Sequence, residues 1–212
     1  MSVTLPLEAQ TVELVRFAGT VARGRDGELR ERAVALREAG TPPEWVEEVL
    51  LQSVLMLGYP RALAGFGAWR AGGAATPPAD PGAEYGRVKE WTRRGEAVCR
   101  TVYRDNYDKL RANVRVLHPA LDAWMLTEGY GRTLARPGLD LRRRELCVVA
   151  QMAVLDAPRQ LHSHLRGALN AGATPAEIDQ ALGAVGALMP PEQRKQVMDL
   201  WQSVRDARSE RD

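Results

Sequence analysis

Residues 7–40 and 139–172 are two copies of one helical unit, and this repeat limits the folds open to the chain. Short helical units cannot bury their apolar faces alone, so the two copies are expected to pack together, with partner chains covering what remains. An offset of 132 positions pairs Leu7 with Leu139, Glu13-Leu14 with Glu145-Leu146, Ala18 with Ala150, Leu29 with Leu161, and Ala39-Gly40 with Ala171-Gly172. The glutamate-to-glycine interval is 27 in both copies. Where the second copy has His164 the first has Arg32, which directs the search for a site to the second.

Hydrophobic spacing is helical nearly throughout, as in Leu14, Phe17, Ala18 and Val21 or Leu146, Val149, Ala150 and Ala153; no segment has the period-two alternation of a strand. Gly40 and Gly172 read as helix stops, followed by Thr41-Pro42-Pro43-Glu44 and Thr174-Pro175-Ala176-Glu177 as capped helix starts,. The two caps fall one register apart, which predicts a residue gained or lost between the copies. Residues 71–84 are too rich in glycine and proline for a regular element and read as a linker,. The expected organisation is a unit over 1–70, this linker, and a second unit over 85–212. An amphipathic helix at about 85–104 and the stretch to 135 have no counterpart in the first unit.

Composition excludes several classes. The 29 basic and 27 acidic residues are interleaved, with a net charge of +2, so nucleic acid is not an expected partner. No apolar run reaches membrane-spanning length and the first ten residues lack a signal-peptide pattern, which predicts no membrane association and a cytoplasmic location. Cys99 and Cys147 stand 48 positions apart, too far for a CxxC motif or a zinc knuckle.

The residues that carry chemistry lie in the second copy. His162 and His164 are two apart on one helix and point in opposed directions, so they cannot be paired metal ligands, and no metal is expected. His164 shares a face with Leu161, Leu165 and Ala168 and is expected to point into packed surface, with His162 towards solvent. The competing reading of His164 is a core histidine satisfied by a carbonyl or carboxylate. Glu145, within an apolar helix, reads as a general base or as a carboxylate capping a neighbour. Arg142, Arg143 and Arg144 crowd a helix start, where cations are unfavourable unless a carboxylate or an anionic ligand is near; ion pairs are the competing reading. A simple antiparallel hairpin through residues 156–159 would leave Glu145 about 9 Å beyond the position facing His164, at about 1.5 Å per residue.

Two stretches carry a family resemblance. They are residues 131–146, which include Arg136-Pro137-Gly138-Leu139-Asp140, and 161–178, which include His164-Leu165-Arg166-Gly167-Ala168-Leu169-Asn170-Ala171-Gly172. From about Arg94 to about Met189 the chain resembles the carboxymuconolactone decarboxylase family of the AhpD-like superfamily. Residues 7–70, with Leu57-Gly58-Tyr59-Pro60-Arg61-Ala62-Leu63, resemble a second, more diverged core unit. The resemblance implies an all-α AhpD-like fold with an internal duplication, and a ring of about six core units, hence a homotrimer of this chain. In the peroxidase branch a glutamate precedes a CxxC and a histidine; with Glu145 and His164 matched, the cysteine positions hold Ala157 and Gln160. A thiol peroxidase is therefore disfavoured.

The decarboxylase branch needs no thiol, metal or organic cofactor. There the resemblance implies that His164 acts on a small anionic lactone, with Glu145 tuning it and Arg142 and Arg144 holding carboxylates. The chain departs from that branch where Tyr130, Arg132 and Leu134 replace the usual glutamate and tryptophans, and at Met189-Pro190-Pro191. Two readings follow: a cofactor-free lyase, or a non-catalytic oligomeric helical protein whose site has decayed. A cavity lined by His164, Arg144 and aromatic residues would favour the first, and a filled site the second.

Overall fold

The computed structural model describes residues 6–75 and 80–209. They form α1 (Ala9–Arg23), α2 (Asp26–Glu38), α3 (Pro43–Ala71), α4 (Val88–Tyr103), α5 (Tyr107–Leu117), α6 (Pro119–Trp124), α7 (Leu141–Leu155), α8 (Pro158–Asn170), α9 (Pro175–Val185) and α10 (Pro191–Ser209). A π-helical segment, Met125–Leu134, joins α6 towards α7. No strand occurs among the described residues, and the fold is all-α.

The repeat is longer and more regular than residue matching indicates. At the same offset of 132, α1 and α2 coincide end to end with α7 and α8, and α3 starts in step with α9. Gly40 and Gly172 sit at φ 68° and 96°, the left-handed region that lets the chain turn back after a helix,. Equivalent bonds close both turns: Thr41 N–H donates to the Leu36 carbonyl and Ala173 N–H to the Ala168 carbonyl, each at 2.9 Å. The expected slip between the caps is therefore absent. Pro43 and Pro175 both open their helices, preceded by Pro42 and Thr174. Thr174 forms a capping box with Glu177, whereas Thr41 lies one position too early to cap and its buried hydroxyl has no hydrogen-bond partner. Aligning the two threonines by type rather than position creates the apparent slip.

The register persists to the end of the repeat. Trp69 donates its indole N–H to Glu47 at 2.8 Å, and Trp201, 132 positions later, donates to Asp179 at 2.6 Å. Arg61 and Gln193 both donate to carbonyls near the end of their unit's first helix, those of Val21 and Ala153. The second half of α3 is thus the counterpart of α10. In the first copy the helix runs on through a kink at Gly58, φ 76°, and in the second it breaks between Val185 and Pro191.

The two units interlock around α1 and α7. Each first helix packs on the other unit's third, α1 on α9 and α7 on α3. Arg143 Nε donates at 3.0 Å to Thr11 Oγ1, its own counterpart in the repeat. Such a contact between equivalent positions is what a local twofold relation between the copies produces. One apolar core results, with Leu14, Phe17 and Val49 from the first copy packed among Leu146, Val149 and Leu165 from the second. The main core is therefore shared, because the two copies bury apolar faces on each other,.

A smaller apolar cluster joins Cys99 and Val102 of α4, Tyr107 of α5, and Leu126, Tyr130 and Leu134 of the π-helical segment. Gly95 and Gly131 let α4 and that segment touch backbone to backbone. A Cβ at Gly131 would lie 1.9 Å from the Trp91 carbonyl oxygen, and one at Gly95 would lie 2.0 Å from that of Leu126. Gly131→Ala must push the two helices apart, and is expected to lower stability by about 2–3 kcal/mol. Urea unfolding measures this; a loss below about 0.5 kcal/mol would mean that the helices part without cost.

Of the expected linker, residues 76–79 lie outside the described residues. On its far side Asp80 is tied by Arg136 at 2.7 Å. By length and composition α3 is the one helix among the described residues able to cross a membrane. It is broken at Gly58, however, and its Glu48 and Glu47 are engaged in ion pairs inside the fold.

Candidate active site

Glu145 of α7 and His164 of α8 meet directly within one chain: His164 Nδ1–H donates to Glu145 Oε2 at 2.9 Å. The offset expected from a simple hairpin is closed because two long side chains bridge it and because Gly167 leaves space on α8. A Cβ at Gly167 would come within 2.6 Å of that same carboxylate oxygen. With Nδ1 held by the carboxylate, Nε2 is the nitrogen left for chemistry. The first copy has the corresponding pair in a different form, since Arg32 binds Glu13 at 3.3 Å. The repeat thus places a carboxylate and a cationic or basic group together in both copies, and only the second pair contains an imidazole, which can both donate and accept a proton,.

Glu145 has no exposed surface and His164 is 7% exposed. The second carboxylate oxygen, Oε1, has no hydrogen-bond partner. A buried carboxylate oxygen without a protein donor costs stability unless a water or a ligand meets it. Its surroundings are Cys99 and two tyrosines. Burial pushes the Tyr103 phenol up to about 12, and burial, reinforced by Tyr103 and Glu145, holds Tyr130 well above the ordinary range. Both phenols stay protonated as donors. The rings of Tyr103 and Tyr130 meet edge to face, with centroids 6.2 Å apart.

Neither cysteine supplies a thiolate. Burial pushes the Cys99 thiol up to about 12 and that of Cys147 higher still, so both are inert at neutral pH.

The three arginines at the start of α7 are occupied by protein groups. Arg144 is fully buried and binds Glu48 at 2.8 Å, the Leu139 carbonyl at 2.9 Å and the Arg136 carbonyl at 3.0 Å. Burial lowers its pKa and Glu48 opposes that shift. Arg142 pairs with Glu177, the capping residue of α9. Arg143 reaches Glu8 and Asp140 and lies 4.2 Å above the Trp45 ring. Carboxylates from α3, α9 and the segment before α1 thus neutralise the crowded helix start, as the ion-pair reading allows. Arg144 in particular has no exposed surface, and its donors are taken up by protein oxygens.

His162 is not simply solvated; it is half-buried beside Arg166, and burial with that neighbour's charge lowers its pKa. It lines two adjoining cavities of about 380 and 360 Å³, together with Tyr103, Asn106, Arg166 and Asn170. His164 and Arg144 line neither. Tyr103, Arg166 and Asn170 escape residue-level reading, because only the packing of α4 on α8 brings them to one place. Among the described residues no group of three or more His, Cys, Asp or Glu side chains is arranged to hold a metal.

An all-α chain with two interlocked copies of one helical unit, and a buried Glu–His pair in only one copy, defines a narrow class. The model of the carboxymuconolactone decarboxylase family matches residues 4–71 and 119–189, more than half of the chain. The protein belongs to that family. The first matched segment covers α1 to α3 and the second runs from α6 to the turn before α10, so each contains one copy of the unit. Comparison with curated proteins returns no match.

Proposed function

We propose that this protein is a cofactor-free carboxy-lyase of the carboxymuconolactone decarboxylase type, acting on a small anionic lactone with His164 as proton donor and Glu145 as its positioning partner. The observation that carries the reading is the buried contact of 2.9 Å between His164 and Glu145, with one carboxylate oxygen left unsatisfied. In such a reaction the bond between the substrate carbon and its carboxylate breaks, and carbon dioxide leaves. The electron pair passes into a conjugated carbonyl, and His164 returns a proton to carbon, so that one carboxylate and one proton become a C–H bond and carbon dioxide. Arg142 keeps a carboxylate-holding role in this reading only by exchanging Glu177 for substrate; Arg144 keeps none. A thiol peroxidase stays disfavoured, since the cysteine positions hold Ala157 and Gln160.

A second reading, a helical oligomer with a decayed site, draws support from the low exposure of His164 and its absence from the walls of the two neighbouring cavities. The two are separated by following carbon dioxide release from a panel of small lactone carboxylates with wild-type protein. Release from at least one member is expected; none across the panel leaves the decayed site as the better account.

Assembly as a homotrimer, a ring of six units, belongs to the same proposal, as does a cytoplasmic location. Exposed apolar side chains such as Tyr59 and Leu63 on α3, and Leu117 and Trp124 on α5 and α6, are material for subunit contacts,. Light scattering is expected to report three chains of 23.4 kDa each, and a monomer at micromolar concentration would reject the ring.

A further inference from the structure

The three arginines at the start of α7 each have a carboxylate; Arg166, on α8, has none among the described residues. The two cavities share five lining residues and form one groove along the α8 face that carries His162, Arg166 and Asn170, at helical spacing,. The turn from α4 to α5 closes one side and α10 another. Among the described residues its wall carries Arg104, Lys109 and Arg166 against one acid, Asp105, while Arg208 is engaged with Asn170. Among the described residues, Arg166 and Lys109 have neither a hydrogen bond nor an ion pair. In a chain whose opposite charges are so evenly interleaved, a concave surface with this imbalance concentrates positive potential.

Arg104 adds a second observation. It holds φ 46° and ψ −125° at the end of α4, a conformation that strongly favours glycine,. The strained backbone turns its guanidinium to the Asn170 carbonyl at 3.4 Å, the last residue of α8, where Arg208 also binds the Asn170 side chain at 3.2 Å. A glycine would make this turn at lower cost but would bring no charge into the groove.

We propose that this groove is a binding site for a compact dianion, a phosphate or a dicarboxylate, held by Arg166 and Arg104. Guanidinium groups suit such ligands because they offer paired, coplanar N–H donors to two oxygens at once. A volume of about 360–380 Å³ in each half accommodates a small metabolite around the anion,. The site lies on the opposite face of α8 from the Glu145 contact and does not depend on catalysis at His164.

Isothermal titration of the full-length protein with inorganic phosphate and, separately, with malonate tests this at constant ionic strength in sodium chloride. At least one anion is expected to bind with a Kd of about 1 mM or lower. Stronger phosphate binding identifies a phosphoryl ligand and stronger malonate binding a dicarboxylate. Arg166→Met is expected to weaken binding about tenfold or more, with His164→Ala binding as wild type. Arg104→Gly should weaken binding about threefold while raising the melting temperature, because glycine relieves the backbone. The proposal is overturned if neither anion binds below about 10 mM, or if Arg166→Met titrates like wild type. A melting temperature lowered by Arg104→Gly would reduce Arg104 to a cap of α8 and remove it from the site.

Discussion

Glu48→Ala is expected to cost about 3–5 kcal/mol of stability, a fall of roughly 6–20 °C in Tm for a chain of this size. Glu48 is itself buried and binds two arginines, Arg144 at 2.8 Å and Arg136 at 2.8 Å. Its loss leaves the fully buried Arg144 guanidinium with carbonyls and Gln52 but no counter-charge. Arg136 keeps Asp80 and is less affected. The penalty therefore comes from a stranded charge rather than from a lost attraction, and this has a further consequence. The double variant Glu48→Met with Arg144→Met should recover most of the loss, because well-packed apolar groups often replace a buried ion pair at little cost. Calorimetry on the two single variants and the double variant measures the coupling. A Glu48→Ala loss under about 1 kcal/mol would show that water reaches Arg144 and that it is available to a ligand after all.

His164→Ala is expected to reduce turnover of whichever lactone carboxylate is accepted by about 10²–10⁴-fold, the range for removal of a positioned general acid. Nothing near it can substitute as the donor. Tyr103 and Tyr130 hold their protons too tightly, and the thiols are both buried and raised. Glu145→Gln keeps the shape and a hydrogen-bonding oxygen but removes the negative charge beside the ring, so it should lower kcat while leaving KM nearly unchanged. Cys147→Ser should leave turnover per folded molecule unchanged, and loss of activity in that variant alone would overturn the site.

Much of the fold is legible in the residues because helix signals are local. Apolar spacing, Gly40 and Gly172 as stops, and Pro43 and Pro175 as starts each depend on a few neighbouring positions. The Glu145–His164 pairing is half legible: the repeat marks the two positions, but their meeting depends on Gly167, whose missing side chain admits the carboxylate. The arginine cluster is the opposite case. Its pattern admits an anionic ligand and ion pairs equally, and Glu48 and Glu177, 96 and 35 residues from their partners, decide between them. No local signal marks the π-helical segment either, since Gly95 and Gly131 take on meaning only once their helices touch.

An all-α chain, a repeat at an offset of 132, and a second copy with a histidine where the first has an arginine are all readable from the residues alone. Those properties follow from short-range backbone and side-chain preferences and from the comparison of one half with the other. Only the packing of distant segments makes the copies share one core, spends Arg144 inside it, and brings Arg166 and Lys109 together beside α8. Burial and charge pairing are properties of what surrounds a residue, and its surroundings come from distant parts of the chain.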